Sequence, residues 1–531
     1  MAQIGRGTWI DKLAAEMVDR EERLGRDLGM MRVESGLGAS GIPHIGSLGD
    51  AVRSYGVKLA LEDMGYNSEL LAYSDDMDGL RRVPEGLPAD AAARLPEHMA
   101  RPVSLIPDPF GCCDSYGSHM SGILLDGLDR LGVRYEFRRA YDAYREGLLA
   151  GQTHAILVRA ELIGRMILDM VGQDKYTHTL PYFAVCGECQ RLYTTNSYRY
   201  DPESRLVHYE CGDITLGGAA VPGCGHRGTV CIDGGLGKLA WKVEFAARWS
   251  AFDVRFEAYG KDIMDSVAVN DRVSEEILDR PPPHHARYEM FLDRGGRKIS
   301  KSSGNVVTAQ DWLGVGSAQS LLMLLYKRIR GARHLGIEDV PALMREYDEL
   351  EDVYFGRVRP DNAEKAVRQK GLYQYANLLR PPERAPVHVN YALLVELAGV
   401  FRDDRPAHIV RRLVRYNILP DEQAADGRVL GLIQMAGRFA DTYGGVQRER
   451  VDADPDSRRA IGMLADSLRR STDVDPQSAV FEAARASGVR PRDLFTMLYR
   501  IILGASRGPR LGPLISDMGP ERVAAMLEEY A

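Results

Sequence analysis

The 531-residue sequence has no run of about 18 uncharged apolar residues, the length that crosses a membrane as a helix. Its first 27 residues also lack the uninterrupted apolar core of a signal peptide, and instead repeat charged and apolar residues at helical spacing. We therefore expect a cytoplasmic protein that makes no membrane contact and whose chain starts with an amphipathic helix.

Cysteine is scarce, and positive charge is not in excess. Seven cysteines in a chain of this length argue against a disulfide framework. The formal net charge of -7 argues against a protein that holds nucleic acid by bulk positive charge, although it leaves room for local basic patches. The length predicts two or three domains, and the hydrophobic share of 45% is that of ordinary globular proteins.

Strand-like and helical patterns alternate over residues 1–315. A strand-like MMRVESGL is followed by a loop, by a helical pattern from Ser47 to Met64, and by a second strand-like run that ends in carboxylates. This order predicts an α/β domain with a doubly wound sheet that binds its ligand at the strand ends. Residues 181–233, rich in glycine, cysteine and short β-like runs, predict an inserted module. Residues 316–531 repeat apolar residues at helical spacing and predict an all-α domain.

The loop after the first strand has the composition of a phosphate-binding loop. It includes Ala39, Pro43, His44, Gly46 and Ser47, directly before the first long helix. Backbone N–H groups at a helix N-terminus can face a phosphate, and a histidine there can donate a hydrogen bond to triphosphate oxygens. The alternative interpretation is a capping loop with a surface histidine.

A second candidate phosphate-binding segment lies far downstream. It contains Lys298, Ile299, Ser300, Lys301 and Ser302, between a Gly-Gly turn and Gly304. Two lysines and several hydroxyls on a glycine-flanked loop can neutralise a departing pyrophosphate. A solvated basic loop is the alternative.

Taken together, the two segments resemble the HIGH and KMSKS signatures of class I aminoacyl-tRNA synthetases, in order and in context. KISKS differs from KMSKS by one apolar residue, whereas PHIGS has Ser47 in place of the last histidine. The resemblance implies a Rossmann-type catalytic domain in which His44, Lys298 and Lys301 stabilise the triphosphate of Mg-ATP. It also implies an ATP site formed by both segments, with the residues Ala39, Pro43, His44, Gly46, Ser47, Lys298, Ile299, Ser300, Lys301 and Ser302.

Longer strings narrow the resemblance to the class I lysyl-tRNA synthetases, the type common in archaea. They are YSDDMDGLRRVP, IPDPFGCCDSYGSHM, GKLAWKVEFAARW, FEAYGKD and, near the end of the chain, SRGPRLGPLI. The resemblance implies that Trp241 lines the amino-acid pocket, and we place Gly36 and Asp262 there as well. The sequence departs from the family after GKD, where the family commonly has a histidine and this chain has Ile263.

A pocket for the lysine side chain should contain a carboxylate for its ammonium group. The candidates near predicted strand ends are Glu34, Asp75, Asp76, Asp78 and Asp262. Each could equally be a surface or capping carboxylate, so the sequence leaves the choice open.

Four cysteines predict a structural zinc site in the insert. Cys186 and Cys189 form a C-x-x-C knuckle, and Cys211 and Cys224 follow in a glycine-rich stretch. The second pair is not a C-x-x-C, so His226 or Cys231 could replace one ligand. We expect the adjacent pair at positions 112 and 113 to lie in or under a loop without a chemical role.

The resemblance implies an enzyme that activates lysine as lysyl-adenylate and transfers it to the terminal 2′-OH of tRNA(Lys). The resemblance implies that the helical domain binds the anticodon, and nothing in the sequence requires a protein partner. Three alternatives are a class I synthetase for another amino acid, an RNA-binding paralogue that does not charge tRNA, and a small-molecule nucleotidyltransferase.

Overall fold

The computed structural model describes residues 4–289, 291–292, 307–331, 333–446, 451–470 and 475–531. The predicted segment Lys298 to Ser302 lies outside these residues. The helices in the described parts are α1 Trp9–Arg23, α2 Ile45–Asp63, α3 Ala89–Arg94, α4 Tyr116–Arg130, α5 Ala140–Arg145, α6 Ala150–Val158, α7 Ala160–Val171, α8 Trp241–Ala251, α9 Met264–Glu276, α10 Ala309–Val315, α11 Ala318–Tyr326, α12 Val340–Tyr354, α13 Ala363–Ala376, α14 Tyr391–Val400, α15 Arg405–Arg415, α16 Gly427–Tyr443, α17 Pro455–Arg470, α18 Pro476–Ser487, α19 Pro491–Leu503, α20 Leu511–Met518 and α21 Pro520–Glu528.

The strands are β1 Met31–Leu37, β2 Ser68–Ser74, β3 Glu136–Arg139, β4 Tyr182–Ala184, β5 Thr195–Asp201, β6 Leu206–Cys211, β7 Ile214–Leu216, β8 Ala219–Val221, β9 Arg227–Cys231, β10 Gly237–Leu239, β11 Val254–Gly260, β12 His284–Tyr288, β13 Phe291–Leu292 and β14 Arg333–His334. Within the described ranges, no helix combines the length and apolar composition needed to span a membrane.

The chain divides into two compact units, each built from several segments. The first unit contains Met1–Gln310, Leu322–Leu335 and Asn362–Arg380, and the second contains Asp311–Leu321, Gly336–Asp361 and Pro381–Ala531. Two stretches beyond residue 315 therefore belong to the first unit. The functional division that we place at residue 315 stays a prediction.

The first unit contains a five-stranded parallel sheet in the order β12-β11-β1-β2-β3. The three inner strands are buried over most of their length, as expected for parallel strands covered on both faces. The chain leaves β1 toward β2 on one side, whereas β11 and β12 extend the sheet on the other. The predicted α/β class is confirmed, and β1 and β11 form the point where the strand order reverses, which is where such sheets bind ligands.

The first helices of this unit begin at polar caps that the sequence supplies. Thr8 and Asp11 form a capping box at the start of α1, and Ser115 accepts a hydrogen bond from the Ser118 N–H at the start of α4. The predicted first helix and the predicted helix from Ser47 to Met64 are both present, as α1 and α2.

Small antiparallel sheets form in and around residues 181–233, where the sequence predicts an insert. Strands β5, β6 and β9 form one sheet, β7 and β8 form a hairpin, and β4 pairs with β10. The pairing of β4 with β10 brings the two ends of this stretch together.

The described residues of the second unit form helices joined by loops, without a strand. Its helices pack mainly as the pairs α14 with α16, α17 with α21 and α17 with α18. The buried side chains of these pairs include Leu393, Ile433, Ile461, Ala484 and Val523. The predicted helical character of the C-terminal region is confirmed.

Candidate active site

A cavity of about 520 Å³ opens at the carboxyl ends of the parallel strands. Gly38 follows β1, Asp75 and Asp78 follow β2, and Asp262 follows β11. The position is the one that the topology predicts, because loops and helix N-termini converge at this edge. The other lining residues used below are Gly36, His44, Gly46, Ser47, Asp50, Arg81, Trp241, Arg248, Glu257, Ile263 and Tyr288.

His44 is the N-cap of α2, the helix that starts beside the cavity. Its Nδ1 accepts a hydrogen bond from the Ser47 backbone N–H at 3.2 Å. A Cβ atom at position 46 would lie 2.6 Å from His44 Cε1, so a side chain there would displace the imidazole from this position. The loop thus places a histidine and a helix N-terminus at the cavity wall, an arrangement that suits a phosphate group.

Some of the other predicted site residues line the cavity, and some lie behind its wall. Gly36, Gly46, Ser47, Trp241 and Asp262 line the cavity. Ala39 and Pro43 are buried and are not part of the lining. Ile263, at the position where the family commonly has histidine, also lines the cavity and gives this part of the wall an apolar surface.

Arg248 of α8 is the centre of a buried charged cluster behind the cavity. Its guanidinium lies 2.9 Å from Glu34 Oε1, 2.9 Å from Asp75 Oδ1 and 3.5 Å from Glu257 Oε1. Burial raises the pKa of Glu34 to about 8 and that of Asp75 to about 7, although Arg248 opposes both shifts. Because the three carboxylates come from β1, β11 and the loop after β2, the arginine ties the inner strands together.

Asp78 is held by a second buried cation. Lys238 Nζ of β10 lies 2.5 Å from Asp78 Oδ1 and 2.7 Å from Glu244 Oε2, and Trp241 Nε1 donates to the same Asp78 oxygen at 3.1 Å. The pKa of Lys238 is raised, since the surrounding carboxylates outweigh its burial. Trp241 therefore has a fixed orientation at the cavity wall.

Asp76 points away from the cavity and serves the fold. Its carboxylate accepts hydrogen bonds from Arg139 Nε at 2.8 Å and from the Tyr141 backbone N–H at 2.9 Å, at the start of α5. Glu34, Asp75, Asp76 and Asp78, four of the five carboxylates that we considered for an ammonium group, are thus paired with cations inside the protein. The fifth, Asp262, lies in an exposed 3-10 turn at the cavity rim.

Asp50 is a cavity carboxylate that the sequence analysis missed. Its Oδ1 is buried and has no hydrogen-bond partner among the described residues. Burial raises the pKa of Asp50 to about 7, against the opposing effects of the Tyr288 hydroxyl and Arg53. A signal was present in the sequence, because His44, Ser47 and Asp50 are spaced three residues apart and so share one face of α2.

The four predicted cysteines come together in the insert. The ligand atoms of Cys186, Cys189, Cys211 and Cys224 all lie within 4.8 Å of one another. The sulfur atoms of Cys186 and Cys224 are 3.5 Å apart, and those of Cys189 and Cys211 are 3.7 Å apart. Four thiolates around Zn²⁺ at about 2.3 Å would be roughly 3.8 Å apart, so the donor set and its spacing fit tetrahedral zinc.

Cys112 and Cys113 lie in the loop before α4, as expected, and both are exposed. Cys112 Sγ lies 3.1 Å from His119 Nδ1, and the Asp108 carboxylate accepts hydrogen bonds from the backbone N–H groups of both cysteines at 2.9 Å. These four side chains form a second group of potential metal ligands.

The comparison with known proteins agrees with this geometry. Residues 7–378 match the family described as tRNA synthetases class I (K), and the chain therefore belongs to this family of class I aminoacyl-tRNA synthetases. The lysine–tRNA ligase of Cenarchaeum symbiosum is 56% identical over 527 residues, which cover 99% of each chain. That of Roseobacter denitrificans is 31% identical over 538 residues, covering 98% of this chain and 95% of the relative. The family resemblance inferred from the two signatures is confirmed.

Proposed function

We propose that this chain is a lysine–tRNA ligase that activates lysine with Mg-ATP and transfers it to tRNA(Lys). The observation that carries the proposal is the cavity at the carboxyl edge. His44 at the start of α2 lines it together with Asp50, whose buried Oδ1 has no hydrogen-bond partner among the described residues. Relatives named lysine–tRNA ligase cover the chain from end to end and support the same reaction.

In the first step, a carboxylate oxygen of lysine attacks the α-phosphorus of ATP. A P–O bond forms, the bond to the β,γ-pyrophosphate breaks, and lysyl-adenylate and pyrophosphate result. His44 and the N-terminus of α2 hold the triphosphate, and charge stabilisation rather than covalent chemistry supplies the rate. Lys298 and Lys301, outside the described residues, are proposed to neutralise the leaving pyrophosphate.

In the second step, the 2′-OH of the terminal adenosine attacks the acyl carbon of the adenylate. The new ester bond forms as the bond to AMP breaks, and the hydroxyl proton leaves with the AMP phosphate or solvent. The main requirement is positioning, because an oriented nucleophile within about 3.5 Å of the acyl carbon removes much of the barrier.

Asp50 is proposed to bind the lysine ammonium group. Its buried oxygen needs a donor, and an ammonium group supplies three. Asp75 and Asp78 on the same cavity wall already have Arg248 and Lys238 as partners. The Tyr288 hydroxyl lies beside Asp50 and completes a polar end of the pocket, with Trp241, Gly36 and Asp262 elsewhere on its wall.

Charging of total tRNA with each labelled amino acid in turn tests this function. The unaltered protein is expected to esterify lysine, and Lys301→Ala is expected to lower kcat by about 100-fold or more, the size of a lost transition-state contact. Lys12→Ala, an exposed lysine on α1, is the matched control and should charge normally. Esterification of a different amino acid would overturn the substrate assignment, and tRNA binding without charging would favour the RNA-binding paralogue.

The zinc site is proposed to stabilise the insert rather than to take part in the chemistry. We expect zinc bound by Cys186, Cys189, Cys211 and Cys224, with His226 and Cys231 outside the ligand group that the structure describes. Cys189→Ser should lose this zinc, measured by elemental analysis, whereas Cys231→Ser should keep it. Equal zinc content in both variants would contradict the ligand set.

The compartment is proposed to be the cytoplasm, where aminoacyl-tRNA is used for translation. The helical second unit is proposed to bind the anticodon. Its helix α15 includes the exposed arginines Arg411 and Arg415. Basic side chains of this kind can hold the phosphates of RNA.

A further inference from the structure

Arg53 is a buried cation of α2 that neither step of the proposed reaction uses. It lies one helical turn after Asp50 and is 1% exposed. Its Nε and Nη1 atoms are buried and have no hydrogen-bond partner among the described residues. Because burying a guanidinium without these hydrogen bonds is costly, its position calls for an explanation in its surroundings.

The guanidinium of Arg53 lies against the ring of Tyr288, at the end of β12. Its Cζ atom is 4.3 Å from the ring centroid, within the range of a cation–π contact. A Cβ atom at position 49 would lie 2.6 Å from Arg53 Nη1 and 3.3 Å from Leu325 Cδ2, so Gly49 leaves the space that the guanidinium occupies. The hydroxyl of the same tyrosine forms a hydrogen bond with Asp50. Arg53 is thus connected through Tyr288 to the carboxylate at the cavity wall.

The groups around Asp50 act on its charge in opposite directions. Burial raises the pKa of Asp50 to about 7, and the charges of Asp262 and Glu257 raise it further. The Tyr288 hydroxyl and the positive charge of Arg53 lower it. The titratable and charged groups that the surrounding elements bring to this part of the cavity are Arg53 of α2, His44 at the start of α2, Glu257 of β11, Asp262 after β11 and Tyr288 of β12.

We propose that Arg53 is a positioning residue for lysine recognition, which holds the Tyr288 ring in place and keeps the Asp50 carboxylate in its charged form. The inference rests on the proposed function and adds to it the residue that prepares the ammonium site. Arg53 acts through Tyr288 and Asp50, because these two side chains line the cavity and the guanidinium lies behind them. A charged carboxylate beside a fixed hydroxyl offers the ammonium group two oxygen acceptors.

Two adenylate analogues that differ only in the ε-amino group test this role. They are lysyl-sulfamoyl-adenosine and norleucyl-sulfamoyl-adenosine, and calorimetry at pH 7 and pH 9 measures the ratio of their affinities. The unaltered protein is expected to bind the lysyl analogue roughly 10- to 100-fold more tightly, the range for a hydrogen bond to a charged group. In Arg53→Met the ratio should fall about fivefold at pH 7, since Asp50 takes up a proton more easily without the nearby cation. At pH 9 Asp50 is charged again, and the ratio should recover.

Two further variants separate charge from packing. Arg53→Lys keeps a positive charge and is expected to retain most of the ratio at pH 7. Lys58→Met is the matched control, because Lys58 is a cation of the same helix that lies 5.3 Å from the Tyr55 ring and pairs with Glu62. It should keep the full ratio at both pH values. Arg53→Gln takes the place of Arg53→Met, with the same expected ratio, if thermal unfolding shows that the methionine variant is not folded.

A fall of the ratio at pH 7 that recovers at pH 9 supports the proposal. An unchanged ratio in Arg53→Met, or an equal loss of affinity for both analogues, overturns it, because Arg53 would then only fill space in the core. A loss of the ratio that persists at pH 9 also overturns it, since the charge of Asp50 would not be the cause. A ratio near one in the unaltered protein would instead contradict the proposed function, whereas a large ratio that the Arg53 variants leave unchanged overturns this inference alone.

Discussion

The acidic side chains at and behind the cavity form two groups, a cluster of three around Arg248 and Asp50 by itself, and the groups differ in whether the protein supplies an ion-pair partner. Glu34, Asp75 and Glu257 surround Arg248, a cation that the protein itself supplies. Asp50 has a buried oxygen with no hydrogen-bond partner among the described residues. Both groups have carboxyl groups whose pKa burial raises.

The comparison separates framework from binding site by charge balance. A buried carboxylate that is paired within the fold positions the wall, because breaking the pair leaves an uncompensated charge. A cavity carboxylate with one oxygen that lacks a hydrogen bond, such as Asp50, has a position left for a positive ligand. Neither a raised pKa nor an oxygen without a hydrogen bond distinguishes the two groups, because Glu34 shares both features with Asp50, whereas the ion pairs to Arg248 do.

The largest expected effect is on stability. Arg248→Met should destabilise the first unit by about 3–5 kcal/mol, because three buried carboxylates lose their cation. The loss should be smaller at pH 6 than at pH 8, since the pKa of Glu34 is raised to about 8 and the carboxyl is neutral at the lower pH. Urea unfolding at both pH values measures this loss of stability.

Arg138→Met is the control, because Arg138 is a half-exposed arginine on β3 paired with Glu136. It should cost no more than about 1 kcal/mol. Similar losses of stability in the two variants would mean that the buried cluster around Arg248 contributes no more than a surface ion pair.

The next effect is on substrate binding. Asp50→Asn should raise KM for lysine roughly 10- to 100-fold, because hydrogen bonds to charged groups contribute about 1.5–3 kcal/mol. KM for ATP and the unfolding midpoint should change little. Asp63→Asn, at the other end of α2 and paired with Arg6, is the control in steady-state charging kinetics. An unchanged KM for lysine would place the ammonium group elsewhere.

A pH dependence follows from the raised pKa of Asp50. Below its value of about 7 the carboxyl takes up a proton, becomes neutral and can no longer pair with an ammonium group. KM for lysine should therefore rise about tenfold as the pH falls from 8 to 6. The same titration of Asp50→Asn should be flat, and parallel curves for the two proteins would show that another group titrates.

The smallest effect is expected at the paired wall. Trp241→Phe keeps the ring surface and removes the 3.1 Å hydrogen bond to Asp78, so KM for lysine should rise about fivefold. Thermal unfolding should shift little, because Lys238 still holds Asp78. A loss as large as that of Asp50→Asn would mean that Trp241 contributes as much to lysine binding as the proposed ammonium partner.

Local patterns in the sequence predicted much of the fold. The strand-loop-helix order at β1 and α2 predicted the α/β class, and the His44 loop predicted the edge where the cavity lies. The cysteine spacing predicted four thiols that meet in the structure. These features could be predicted because each depends on residues close together in the chain or on a spacing that is typical of one kind of site.

The charge pairing of the site could not be predicted, because it depends on long-range contacts. Arg248 lies in α8, whose sequence does not show which residues the arginine meets. It is 1% exposed, and two of its partners, Glu34 and Asp75, are more than 170 positions away in the chain. The sequence gives Asp50 of α2 no sign of burial, because its hydrogen-bond partner Tyr288 is more than 200 positions away in the chain. Proximity to a strand end therefore selected the paired carboxylates and missed Asp50.

The glycine at position 46 changes how the signature loop should be scored in genome searches or protein redesign. The imidazole of His44 occupies the space that a Cβ at position 46 would need, so the residue at position 46 should be judged together with the residue at position 44. The contribution of Ser47 at this contact is a backbone N–H, which every residue except proline can provide. A search profile that scores positions 44 and 46 jointly and leaves position 47 open would accept HIGS as readily as HIGH.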